Sequence, residues 1–195
     1  MNIRTINVGP IETNCYIVSE KDEAILIDPG EDAEKILKGL GGLKLNKIIL
    51  THLHFDHIIA AKEIKVNTGA KIYCHEADLE ILDSGLLKKD DIDFFLKNDD
   101  MITVGQIGFK IIHTPGHTPG SFCLYNEESA VLFSGDTIFA GAIGVTHFKG
   151  GDFSKIQNSI TNKLLTLPDK TLVYPGHGRP FSLGHYNDEI KDMLS

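Results

Sequence analysis

The run Thr51-His52-Leu53-His54-Phe55-Asp56-His57 places three imidazoles and a carboxylate within six consecutive positions. In an extended segment His52 and His54 point the same way, because side chains alternate with period two, and Asp56 and His57 follow at the turn into a helix. Zinc takes imidazole nitrogen and carboxylate oxygen readily, and iron and manganese accept the same set, so a run this dense points to a metal. Three further segments offer the same ligand types beside glycine and proline: His113-Thr114-Pro115-Gly116-His117, Ser134-Gly135-Asp136 and Tyr174-Pro175-Gly176-His177-Gly178. Such residues hold the backbone in sharp turns and aim a side chain outward. Taken alone, Gly135-Asp136 reads equally well as a simple turn, and it gains meaning from the other three.

Apolar runs lead into these segments and must position them. Short runs at Ile3–Val8, Cys15–Val18 and Ala24–Ile27, the last ended by Asp28-Pro29-Gly30, read as a meander of strands. Apolar residues at Ala33, Ile36, Leu37 and Leu40 mark one helical face, stopped by Gly41-Gly42. A strand is expected at Lys47–Leu50, a helix over Ile58–Val66 and another after Glu76, with Lys88–Asp100 a charged surface loop or short crossing. The second half repeats the rhythm. Strands fall at Ile107–Ile112, Ser121–Tyr125 and Ala130–Phe133, a helix near Lys155–Leu165 and a strand at Leu172–Tyr174. Two β-then-α halves imply an α/β protein of layered sheets flanked by helices, read as one domain over residues 1–195.

Composition limits the partners. With 27 acidic against 19 basic residues the net charge is −8, and no dense Lys/Arg run interrupts it, so nucleic-acid binding through phosphate neutralisation is not expected. No stretch is long and apolar enough for a membrane span, and the N-terminal residues lack a signal-type apolar segment, which leads to the expectation of a cytoplasmic protein without a membrane partner. Cys15, Cys74 and Cys123 are odd in number and far apart in apolar surroundings. They read as buried free thiols. His75 and His113, at strand ends, and His185, near the C-terminus, read as packing or surface residues. Tyr186 reads as half-exposed packing, with a reach to a substrate oxygen as the alternative.

Taken together, the four histidine and aspartate segments resemble the metallo-β-lactamase fold superfamily. Its H-x-H-x-D-H signature matches His52, His54, Asp56 and His57, and its later motifs match His117 in HTPGHTPGS, Asp136 in FSGDTIF and His177 in YPGHG. The resemblance runs from about Ile3 to Gly184 and is nearest the glyoxalase-II-like branch. It implies a four-layer αβ/βα sandwich of two mixed sheets with the site along one edge. It also implies two divalent ions, zinc before iron or manganese: one held by His52, His54 and His117, the other by Asp56, His57 and His177, with Asp136 shared. Asp28 would orient a ligating histidine from behind.

The activity implied is hydrolysis of a small acyl substrate, a hydroxyacyl thioester foremost, by a hydroxide bridging the ions. Asp56 would both hold a metal and orient that hydroxide. Two divalent ions less Asp56, Asp136 and one hydroxide leave a local charge of about +1, which favours an anionic or polarised acyl group despite the acidic chain. Alternatives on the same fold are a persulfide dioxygenase with one iron and a small-molecule phosphodiesterase or lactonase. A metal-stabilised binding module is disfavoured, because Asp56 and an open bridging position exceed what a closed structural site needs. Two departures bear on the substrate. Where the branch commonly reads Gly-Arg-x-Asp, this chain has Gly144-Val145-Thr146-His147, and only 18 residues follow His177, with Arg179 and Lys191 as their cations. Glutathione is therefore not expected to be gripped by a basic helical extension.

Overall fold

The computed structural model describes residues 1–83 and 85–194. Six strands form the first sheet in chain order: β1 (Asn2–Val8), β2 (Thr13–Glu20), β3 (Glu23–Ile27), β4 (Lys44–Ile49), β5 (Lys71–Cys74) and β6 (Phe94–Phe95). β1 to β3 are antiparallel neighbours, whereas β3 to β6 pair in parallel, which requires crossovers. Helix α1 (Ala33–Leu40) makes the first crossover, and α2 (Phe55–Ile58) and α3 (Ala61–Thr68) lie within the second. The other sheet contains β7 (Met101–Val104), β8 (Ile107–His113), β9 (Phe122–Asn126) and β10 (Val131–Gly135). After a small hairpin of β11 (Ile138–Phe139) and β12 (Ala142–Ile143) and helix α4 (Phe153–Ser159), it is completed by β13 (Leu172–Pro175) and β14 (Phe181–Ser182), in the order β14-β13-β10-β9-β8-β7. Helix α5 (Asn187–Leu194) follows.

Strand alternation sorts the apolar residues into three cores. On β3, Ala24 and Leu26 face α1 and α3, packing with Ile36, Leu40, Ala61 and Ile64, while Ile25 and Ile27 face the other sheet. On β9, Phe122 and Leu124 meet them between the sheets, and Cys123 and Tyr125 turn outward to Ile156 of α4 and Ile190 of α5. The central strands are therefore buried on both faces, which is why they read as unbroken apolar runs instead of alternating ones. The result is the α/β sandwich of two mixed sheets flanked by helices that the sequence implied. No helix among the described residues is long and apolar enough to cross a membrane.

Several elements differ from expectation. The helix expected over Ile58–Val66 is two pieces, because the Ala60 N–H bonds to the Pro29 carbonyl at 3.1 Å instead of continuing a ladder from α2. The helix after Glu76 is a 3-10 turn, Glu76–Glu80, and the charged segment at 88–100 contains both a 3-10 turn at Lys89–Asp91 and the edge strand β6. The sequence reading assigned no element to β5, β7 or α5. Their apolar signals are short: β5 and β7 bury two residues each, and α5 buries only the i, i+4 pair Ile190 and Leu194. The expected helix near Lys155–Leu165 is α4 followed by a π turn at Ile160–Leu164.

Candidate metal centre

Topology brings the four ligand segments to one edge. β10 and β13 are parallel, and β8 runs antiparallel to β9, which runs antiparallel to β10, so β8, β10 and β13 all end at the same edge. The His113–His117 loop, Asp136 and the Pro175-Gly176-His177 turn follow those three ends. The first sheet is tied on here by hydrogen bonds from Phe122 N to Thr51 O (3.1 Å) and from Asn14 N to Gly176 O (2.7 Å). The His52–His57 run, just past β4, therefore faces the second-sheet loops.

Two triads result. Ligand-capable atoms of His52, His54 and His117 lie within 4.8 Å of one another, as do those of Asp56, His57 and His177, and a third group, Asp28, His52 and His57, joins the two from behind. In the first, His54 Nδ1 is 2.9 Å from His117 Nε2. In the second, Asp56 Oδ2 is 3.1 Å from His177 Nε2 and 3.2 Å from His57 Nε2. Asp136 stands between them. Its carboxylate is 3.7 Å from His117 Nε2 on one side, and 3.5 Å and 3.6 Å from His57 Nε2 and His177 Nε2 on the other. Gly176 permits this approach: a Cβ there would stand 2.1 Å from Asp136 Oδ1 and 2.7 Å from His57 Cε1.

Four of the five imidazoles are held from behind, so that the free nitrogen turns inward. His117 Nδ1 donates to the Val145 carbonyl at 2.7 Å and His177 Nδ1 to the Ile11 carbonyl at 3.2 Å. His57 Nδ1 lies 3.1 Å from Asp28 Oδ2. Thr51 Oγ1 donates to the same Asp28 oxygen at 2.7 Å and accepts from His52 Nδ1 at 3.1 Å. Asp28 also takes the Thr51 N–H at 2.8 Å and is itself in the left-handed region at φ 51°. Outer partners of this kind fix the tautomer and raise ligand basicity. Asp28 thus occupies the supporting position that the resemblance suggested.

The donor set fits divalent cations. His52 Nε2, His57 Nε2 and Asp136 Oδ1, which face the centre, are buried atoms without an aligned hydrogen-bond partner, and His57 Nδ1 has only the ion pair with Asp28. Each such atom ordinarily costs about 1–3 kcal/mol, and a cation coordinated among them supplies the missing partner. Burial holds His52 well below the usual imidazole range and lowers His54 to about 4 and His117 in the same direction, leaving three neutral rings at pH 7. Burial also pushes against charge on His57, yet Asp136 and Asp28 raise it, and the Asp56 bond raises His177 against the same effect. Although burial opposes it, Asp56 is held ionised by His177 and His57, and Asp136 by His57, His117 and His177. Three carboxylates against five imidazoles thus draw positive charge to the point where the ligand atoms converge.

The sequence did not single out Asp78. This fully buried carboxylate accepts from Leu53 N at 3.0 Å, Thr118 Oγ1 at 2.9 Å and Gly120 N, linking the loop of the first histidines to the loop after His117. Its only sequence signal is an acid in the first turn after β5. Thr13, whose hydroxyl donates to Asp56 Oδ2 at 3.2 Å, was missed for the same reason: the partner is distant in the chain. His75 and His113 stack on each other, ring centroids 4.1 Å apart, and neither belongs to a triad. His185 packs against Tyr186, whose hydroxyl accepts from Arg179 at 2.7 Å and whose ring meets Phe181. The three cysteines are buried and free.

A model of the Metallo-beta-lactamase superfamily matches residues 8–177. The chain belongs to that superfamily. It is 36% identical to the "Probable metallo-hydrolase YqgX" of Bacillus subtilis, over 91% of this chain and 90% of that one. It is 35% identical to the "Hydroxyacylglutathione hydrolase GloC" of Haemophilus influenzae, over 94% of each. Among solved structures, BLEG-1 B3 metallo-beta-lactamase superposes with a TM-score of 0.87 at 38% identity, covering 96% of this chain and 97% of that one. TTHA1623, described in a di-iron-bound form, superposes at 0.83 with 33% identity, over 93% and 95%. ETHE1 from Myxococcus xanthus superposes at 0.84 with 27% identity, over 100% and 90%. As a metallo-hydrolase of this superfamily, the chain presents His54 and His117 of one triad, Asp56 and His177 of the other, and Asp136 to an open cleft of about 510 Å³, within the range of small-molecule sites.

Proposed function

We propose that this superfamily member is a binuclear metal-dependent hydrolase of thioesters. The observation that carries the reading is the position of Asp136 between two complete triads, within 3.5–3.7 Å of histidines from both. His52, His54 and His117 would hold one divalent ion, Asp56, His57 and His177 the other, and Asp136 both. Bound there, two such ions lower the pKa of water towards ~7 and polarise an acyl carbonyl.

The chain's own groups do the rest. Asp56 lines the cleft with its Oδ2 fixed by Thr13, so the ionised carboxylate accepts a hydrogen bond from the attacking water and sets its direction. The water oxygen bonds to the acyl carbon, the C–S bond breaks with its electron pair leaving on sulfur, and the released proton passes to solvent. Outside the triads and Asp136, Lys149 is the one titratable side chain among the described residues of the cleft, and its Nζ is tied to the Glu80 carbonyl at 2.6 Å. An amide nitrogen needs a proton to depart, whereas a thiolate, of ordinary pKa about 8.5, does not. The cleft is thus better furnished for a thioester than for an amide.

The dioxygenase alternative needs one iron and leaves the second triad without a role. The test is release of free thiol from a hydroxyacyl thioester by metal-saturated protein, with oxygen uptake followed in parallel on a persulfide. Hydrolysis that chelation abolishes and metal restores is expected. Oxygen consumption on the persulfide without thioester cleavage overturns the reading.

A further inference from the structure

Four of the eleven large apolar side chains exposed among the described residues converge on the mouth of this one cleft: Ile11 at 51%, Phe55 at 57%, Val145 at 45% and Phe148 at 52%. Ile81, partly buried, joins them. They come from separate parts of the chain: the β1–β2 turn, the start of α2, the 3-10 region after β5 and the loop before α4. Apolar surface gathered from four segments around a polar floor marks a ligand site more than chance exposure does.

The walls are also held in place. Phe148 meets the His54 ring edge-on at 5.7 Å between centroids and packs on His147 at 4.3 Å, while the backbone of Val145 is fixed by the bond from His117. Among the described residues Lys149 is the only charged wall residue outside the metal ligands, and one cation makes no cluster for a polyanionic group. Val145 and Phe148 thus present hydrocarbon in the loop whose Gly144-Val145-Thr146-His147 stretch lacks an arginine–aspartate pair.

Resting on the hydrolase reading, we infer that the substrate is a thioester with an apolar acyl chain of several carbons, laid along Phe55, Val145 and Phe148 with its carbonyl over the triads. Each methylene buried there contributes roughly a threefold to fourfold gain in kcat/KM until the chain leaves the walls.

The experiment uses the metal-saturated protein with acetyl, butanoyl and hexanoyl thioesters of N-acetylcysteamine, and with the matching non-hydrolysable S-alkyl thioethers in calorimetry. Cleavage efficiency and thioether affinity should rise together with chain length. F148A should flatten both series by about tenfold at hexanoyl, and F148L, which keeps the apolar wall, should restore most of the preference. Hydrolysis that is flat or falls with chain length overturns the inference and leaves the hydrolase reading standing. Thioether affinity that rises with chain length, with no thioester cleaved, overturns the hydrolase reading and supports the apolar site.

Discussion

Asp28→Asn changes one atom and tests whether the histidines are oriented from behind. Asp28 Oδ2 serves two groups, Thr51 Oγ1 at 2.7 Å and His57 Nδ1 at 3.1 Å, while Oδ1 accepts the Thr51 N–H at 2.8 Å. If the amide nitrogen takes the Oδ2 position, it donates to His57 Nδ1 and forces the ring proton onto Nε2, the atom that faces Asp56 and Asp136. Thr51 must then reverse its hydroxyl towards His52 Nδ1, and His52 flips its tautomer as well. If the amide turns over instead, its NH2 meets the Thr51 N–H, a donor against a donor costing about 1–3 kcal/mol. Either arrangement leaves backbone and volume unchanged, so the variant should fold. Loss of an outer partner of a ligating histidine typically costs 10–100-fold in metal affinity, about 1.4–2.7 kcal/mol, and two ligands are affected here. Competition against a chromophoric chelator should show the loss at both sites, because His52 stands with His54 and His117 and His57 with Asp56 and His177. Wild-type affinity at both sites in a folded D28N protein would refute the reasoning.

Other consequences can be checked with the same preparation. Gly176→Ala should drive Asp136 and His57 apart, lowering bound metal per chain and, as overpacking usually does, stability by about 1–3 kcal/mol, read by elemental analysis and urea unfolding. Burial pushes Asp78 up to about 6, against hydrogen bonds from Gly120, Thr118 and Leu53 that favour its charged form. A carboxylate raised in the folded state binds protons more tightly there than when unfolded, so it lowers stability as pH climbs from about 4 to about 6 and no further. Comparing chelated wild type with D78N at pH 4 and pH 7 should show their stability difference shift by about 2 kcal/mol in favour of the variant at the higher pH. A constant difference counts against the shift. Burial also raises the thiols, Cys74 to about 12 and Cys123 to about 11, with Cys15 higher than its usual value too. A thiol reagent at pH 8 should therefore label none of them until the protein is unfolded, and then all three.

What could be read ahead of the structure follows from local chemistry. The histidine run, the turns carrying His117, Asp136 and His177, and the strands leading into them are contiguous signals, and the fold returns each to one edge. Alternation on a doubly buried strand such as β3 or β9 is invisible in the sequence, because both faces are apolar; only packing shows that Ile25 and Ala24 belong to different cores. Asp78 and Thr13 escaped notice since their roles depend on partners about 25 to 43 residues away. β6 was hidden among the charges of 88–100, where side chains of surface loops and of edge strands look alike. The convergence of Ile11, Phe55, Val145 and Phe148 likewise required the loops to be placed.

The most direct test of the central claim is elemental analysis of protein saturated with zinc, iron or manganese and freed of excess metal. Two ions per chain are expected, falling to one in a variant with His57 and His177 both replaced by alanine, which removes two ligands of a single triad. One ion per chain in the saturated wild-type protein would contradict the account.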